Sequence, residues 1–319
     1  MSILASRKSG LGLLPVLLLA AACDPRVNSQ LPENDPESTA PPPPPVVSNG
    51  TLYLSLTDAP IDTASEVVVA VSAVAVKPVD GDTLHFNFDG TRDFDLLTLQ
   101  GGVTAEVLEG RSIPAGDYQW ARITVEAEFD NEFDSYAMTP NGMVEIRVPG
   151  ITNGHIYITE GFSVGSNETR NLVIDWDLRK ALSAPEGEPG YHLRPTVRVA
   201  DIESHGTLNG TIENSLLSDV SCTNDLAMDT GSAVYIYPSD AATLGDIGDI
   251  DAEPYATAAV RQGTDGAYEF AVHFLPAGSY AAVFTCQASD DDPESIDAIS
   301  LSEPKSFSIE NGVITALDF

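Results

Sequence analysis

The chain has 319 residues and carries 48 Asp and Glu against 15 Lys and Arg, a formal net charge of -33. The acids are spread along the chain, and phosphate binding needs a cationic face to displace counterions, which argues against nucleic acid and against anionic lipid headgroups as partners of the folded part. The length suits two ordinary domains with separate cores, and a dispersed negative surface keeps a protein soluble while drawing cations such as Ca2+.

Residues 1–22 have the three parts of an export leader: Arg7 and Lys8, the apolar run Leu11 to Leu19, and Ala20-Ala21-Ala22 before Cys23. The run is shorter than the ~20 residues a helix needs to cross a bilayer, so it predicts a signal peptide and not a membrane span. The pattern resembles a bacterial lipoprotein leader, with Ala20 where such leaders more often have Leu. The resemblance implies that Cys23 is lipidated and tethers the protein to the inner or outer membrane, each buried acyl CH₂ contributing ~0.8 kcal/mol. The folded part would then lie in the periplasm or outside the cell.

Residues 23–50 are rich in Asn, Ser, Glu and Pro and include five consecutive prolines, Pro41 to Pro45. Such a segment buries too little apolar surface to offset the entropy of ordering. Polyproline II at ~3.1 Å per residue makes it a semi-rigid stalk.

From Thr51 the texture changes to short runs of β-branched and aromatic residues. Leu52, Leu54 and Leu56 alternate with a period of two, and Glu66 to Lys77 is mostly Val and Ala, as in a strand buried on both faces. In Gln119 to Phe129 the set Ala121, Ile123, Val125, Ala127 and Phe129 shares one face, which leaves Trp120 and Tyr118 on the other, as a platform for a sugar or, where both faces are packed, as core. Further strands are expected at Met143 to Val148, His155 to Ile158, Leu172 to Asp177 and Leu193 to Val199, with helical turns only near Asp95 to Leu99 and Leu178 to Leu182. A second series begins at Gly206 and continues at Ala233 to Tyr237, Tyr268 to Phe274, Tyr280 to Gln287, Lys305 to Ile309 and Ile314 to Phe319. Many short strands with turn signals between them predict an all-β fold: two tandem antiparallel β-sandwich domains, residues 51–203 and 204–319, after a disordered stalk.

Two resemblances sharpen this. The residues Leu56-Thr57-Asp58-Ala59-Pro60, Asp95-Leu96-Leu97, Pro114-Ala115-Gly116, Asp175-Trp176-Asp177-Leu178-Arg179-Lys180 and Leu193-Arg194-Pro195 resemble, in order, the bacterial family called domain of unknown function 4382, commonly found on lipoproteins. The C-terminal part resembles the carboxypeptidase-regulatory-like, or transthyretin-like, sandwich through Gly206 to Gly210, Asp265-Gly266-Ala267-Tyr268 and Leu275-Pro276-Ala277-Gly278. The first family implies no activity; domains like the second serve as spacers, adhesive modules or carbohydrate-binding modules.

Cys222 and Cys286 lie in the second domain and, in an oxidising compartment, are expected to pair; two buried free thiols are the alternative. The string Gly161-Phe162-Ser163-Val164-Gly165 matches G-x-S-x-G, but the residues after it, Ser166 to Ile174, read as loop and strand where a nucleophile elbow needs a helix. The five histidines, His85, His155, His192, His205 and His273, have no zinc spacing. Asp246, Asp249 and Asp251 in one loop, and Asp290 to Asp292 in another, offer the oxygen ligands a calcium ion takes, without EF-hand order. Asp58, Asp175 and Asp177, inside the family motifs, are the candidate ligand-binding residues, against the simpler reading that they cap turns. The sequence thus predicts a non-enzymatic, lipid-anchored envelope protein that interacts with another envelope protein or a polysaccharide. A carbohydrate- or calcium-binding module is the alternative.

Overall fold

In the computed structural model, residues 48–319 are described except 60, 151–153 and 186. The leader, Cys23 and the proline run lie outside the described residues. Residues 46–319 form one compact unit. Its first half holds β1 (Asn49–Ala59), β2 (Glu66–Pro78), β3 (Leu84–Asp95), β4 (Ala105–Pro114), β5 (Gly116–Glu126), β6 (Tyr136–Thr139), β7 (Gly142–Arg147), β8 (His155–Ile158), β9 (Phe162–Val164), β10 (Thr169–Asp177), α1 (Leu178–Ala181), β11 (Leu182–Ser183), β12 (Tyr191–Leu193) and β13 (Val197–Asp201). After a 3-10 turn at Ile202–Ser204 come β14 (His205–Ile212), α2 (Asn214–Leu217), β15 (Ala233–Pro238), β16 (Ala256–Ala259), β17 (Arg261–Gln262), β18 (Tyr268–Pro276), β19 (Gly278–Thr285), β20 (Lys305–Ile309) and β21 (Ile314–Ala316).

Each half is a sandwich. In the first, a four-stranded sheet ordered β13-β10-β1-β4 packs on a nine-stranded sheet built around β2 and β5. The alternating Leu52, Leu54 and Leu56 of β1 meet Val69, Val74 and Val76 of β2, Ile123 of β5 and Trp176 of β10 in one fully buried cluster. In the second, β17-β18-β14-β21 faces β16-β15-β19-β20 across Leu208, Ile236, Phe270 and Phe284. Burying side chains of this size contributes roughly 1.5–3 kcal/mol each, and aligned two-sheet packing is the usual way to shelter one face of each sheet. No helix among the described residues is long and apolar enough to cross a membrane.

Two details depart from the sequence reading. Tyr118 does not share the outer face with Trp120: the β2–β5 register slips between Lys77 and Pro78. That irregularity turns Tyr118 into the core, stacked 4.9 Å from Phe162, with its hydroxyl donating to the Pro114 carbonyl. Most pairings are antiparallel, but β1 with β10, β12 with β7 and β14 with β21 run parallel.

Candidate functional site

The parallel pairing of β1 with β10 assembles the site. Its register sets Thr57 opposite Asp175, Asp58 opposite Trp176 and Ala59 opposite Asp177, so motifs more than a hundred residues apart in sequence end together at one edge of the sandwich. At that end β10 turns directly into α1, whose first amide, Leu178 N, donates to Asp58 Oδ1 at 3.2 Å. Asp58 is therefore a buried cap, and Trp176 Nε1 fixes the incoming chain by donating to the Arg194 carbonyl at 3.2 Å.

The same end meets the second sandwich. Asp177 accepts from both the amide and the hydroxyl of Thr257 on β16, each at 2.9 Å. Arg179 donates to the Ala288 carbonyl and lies 3.3 Å from Asp62. Asp62 also takes Arg261 at 2.7 Å and the Gly231 amide at 3.0 Å. Lys180 Nζ donates to the Pro254 carbonyl at 2.7 Å. On β13, Arg198 stands opposite Asp175, pairs with it, and donates to the carbonyls of His273 and Phe274 on β18.

Apart from Arg261, which is partly exposed, these charges are almost fully withdrawn from water, which is tolerable only where each is paired and hydrogen-bonded. Burial alone would raise the Asp62 carboxyl, but Arg179, Arg261 and the Gly231 amide hold it below the ordinary carboxylate range. Burial wins at Asp175 and pushes its carboxyl up despite Arg198. Arg179, though desolvated, is held above its usual value by Asp62. A cavity of about 330 Å³ remains at the junction, lined among others by Glu160, Asp175, Lys180, Arg198, Glu253 and Tyr255. All three candidate ligand-binding residues are thus engaged: Asp58 inside the first sandwich, Asp175 by Arg198, and Asp177 across the junction.

The acidic loops come together differently from their order in sequence. Asp246 of one and Asp291 and Asp297 of the other place ligand oxygens within 4.8 Å of one another and are, among the described residues, the group that could hold a metal ion. Asp249 Oδ1 instead accepts from the Asp251 amide in a local turn, and neither residue joins the group. The loops seal the outer face of β15 and β19: Tyr235 donates to Asp291 at 2.5 Å, Ile247 N donates to the same carboxyl, and Asp297 N donates to Asp246. Burial pushes Asp291 up to about 6. Only the fold could reveal this grouping, because Asp297 lies outside both of the acidic runs visible in sequence.

Ser163 lies on β9, an edge strand that leads through a turn into β10, and its hydroxyl donates to Asp117 at 2.5 Å. This is not the strand-to-helix elbow that activates a serine. His205, at the start of β14, is buried against Phe274; desolvation, helped by Arg198, lowers it from 6.5 to about 4. A histidine with a lowered native pKa binds fewer protons folded than unfolded between those values, so its protonation opposes folding as pH falls. Relative to His205→Gln, the protein is expected to lose on the order of 2 kcal/mol of stability between pH 7 and pH 4. Denaturant melts of both proteins check this. Taking the difference cancels the opposite contribution of Asp291, and a difference constant with pH would contradict it.

The fold and junction define an all-β protein of two sandwiches joined by buried ion pairs. Residues 49–195, within the first sandwich, match the family described as Domain of unknown function (DUF4382). No curated protein matches the sequence. Among solved structures, the chain is similar to a candidate cell adhesion protein from Parabacteroides distasonis (11% identity, 83% of this chain and 84% of that chain, TM-score 0.23). It is also similar to GBS52, the minor pilin of Streptococcus agalactiae (11% identity, 84% and 94%, TM-score 0.18). Neither superposes well enough to define a shared function.

Proposed function

We propose that this is a non-catalytic envelope protein, anchored through a lipid on Cys23, that holds two sandwiches as one stiff body for interaction with another envelope component. The observation that carries the reading is the use made of the family motif. Asp177, Arg179 and Lys180 reach across to Thr257, Ala288 and Pro254, so the polar residues a catalyst would expose are engaged in joining the two halves. Arg198 and Asp62 do the same from the flanks. Inter-domain surfaces within a chain ordinarily permit relative motion unless they are extensive and well packed. A junction with this many buried charge-assisted bonds resists it. The Asp117 carboxylate at Ser163, with no imidazole in the bond, supports the same reading.

Labelling of bacteria expressing the full chain with an alkyne analogue of palmitate tests the anchor. The wild-type protein is expected to take the label and sediment with membranes, and Cys23→Ala to lose both. A label retained by Cys23→Ala overturns the anchor. The non-catalytic half is tested with a p-nitrophenyl ester: turnover at the background rate of water, unchanged in Ser163→Ala, is expected. A rate well above background that Ser163→Ala abolishes overturns it.

A further inference from the structure

The outer face of the first sandwich carries a different chemistry from the rest of the surface. Across β3, β2, β5 and β8 the register aligns His85, Ala75, Arg122 and Tyr157 in one row. The next row reads Asn87, Ala73, Thr124 and His155, and Lys77 lies opposite Trp120 beside the first. Alternation places all of these away from the core that Val74, Val76, Ala121, Ile123 and Ile156 fill. None of these ten positions is acidic, in a chain where acids outnumber Lys and Arg 48 to 15; Glu126, the next outward residue on β5, borders them and acts on His155.

Ala73 and Ala75 put small side chains in the middle of the face, and their neighbours cover Ala75 completely. Above it, Trp120 and Tyr157 meet edge to face at 5.3 Å, and the Arg122 guanidinium lies 5.8 Å from the Tyr157 ring centre. Tyr157 is 37% exposed, while Trp120 and Arg122 are half-buried. Among the described residues Arg122 forms no ion pair; its Nη1 donates to the Tyr157 hydroxyl at 3.5 Å, and its Nε is buried without a hydrogen-bond partner. An arginine that finds no carboxylate on so acidic a protein is a cation left for something else.

We propose that this face binds a uronic-acid polysaccharide. The apolar face of a pyranose would pack on Trp120 and Tyr157, and a sugar carboxylate would take the fork of Arg122, with Lys77 as a second, non-directional charge. Aromatic rings supply large contact area at little entropic cost, and the arginine–carboxylate fork adds direction and strength. The protein's overall negative charge repels such a polymer at long range. At ~0.15 M salt the Debye length is ~8 Å, which screens that repulsion but leaves the close contact at Arg122. The proposal deepens the interaction reading above by naming the partner.

The test is affinity electrophoresis of the purified full chain through gels containing alginate, polygalacturonate or neutral dextran at ~0.15 M salt. Retardation by a uronate polymer and none by dextran is expected. Trp120→Ala and Arg122→Gln are each expected to weaken it about tenfold with an unchanged melting temperature, since both residues stand outside the core. Should either variant melt early, Tyr157→Phe and His85→Ala serve as controls that keep the fold; the first is expected to retain binding through its ring. No retardation by either uronate polymer, equal retardation by dextran, or retardation indifferent to Trp120 and Arg122 overturns the proposal. The Cys23 labelling is independent of all these outcomes, so the anchor and the glycan site stand or fall separately.

Discussion

Replacing Asp62 by Ala is expected to destabilise the folded chain by about 3–5 kcal/mol, the usual cost of removing one partner from a buried ion pair. Asp62 is the hub of the junction: it faces Arg179 and Arg261 and accepts from the Gly231 amide. Arg179 comes from the family motif of the first sandwich, Arg261 and Gly231 from the second. Without the carboxylate Arg179 stays buried, its side chain only 6% exposed, and loses the countercharge that most raises its affinity for a proton. The loss should lower the melting temperature by roughly 10 °C. It should also split the calorimetric transition as the two cores begin to unfold separately. Asp62→Asn, which keeps an acceptor for the amide, is expected to cost less. Because the Asp62 carboxyl is held below 3.8, its contribution is present in full above that pH and is lost as pH falls through the native value. A single sharp transition at the wild-type temperature would mean that apolar packing, not the charge network, joins the sandwiches.

How much could be read from the sequence depends on where the deciding interactions lie. Strands with an uninterrupted two-residue period, such as β1 and β5, and the helical turn at Leu178–Ala181 were legible because side-chain alternation and local polarity are local signals. β3 was not, although Leu84, Phe86 and Phe88 alternate within it. Asp89-Gly90 breaks its pattern: in the fold Gly90 takes a φ of +93° where the register with β2 shifts, Arg92 facing Val71 and Asn87 facing Ala73 with the residues between them unpaired. β4 hides in the same way behind Gly110, at φ +44°.

The candidate site was half legible. Asp175 and Asp177 stand out as acids in a strand, yet nothing local says that Asp177 will find Thr257, or that Asp62, beside the first motif, will bind two arginines. Those partners depend on the parallel register of β1 with β10, a long-range pairing that leaves no trace in either strand alone. The disulfide was easier, since compartment and cysteine count suggest it before any geometry is known.

That disulfide carries the second large expected effect. Cys222 and Cys286 are bonded across a sequence separation of 64, and in the chain-entropy model opening a loop of that length costs about 4 kcal/mol. The double variant Cys222→Ser with Cys286→Ser is expected to show that loss in urea denaturation. The bond also does something the entropy model omits. It ties the start of the segment 222–231 to the end of β19, and the far end of that segment supplies Gly231 to Asp62 and the Asp229 carbonyl to Arg261. Gly231 takes a φ of +82°, and a Cβ there would lie 2.7 Å from the Asn224 backbone, so the segment has one way to present its amide. Releasing the cysteines should therefore loosen the junction as well as the second sandwich. Combined with Asp62→Ala, the two changes should cost at least about 0.5 kcal/mol less than their sum, because each already damages what the other supports. Strict additivity in that double-mutant cycle would show that the disulfide serves its own sandwich alone and that the junction holds its segment without help.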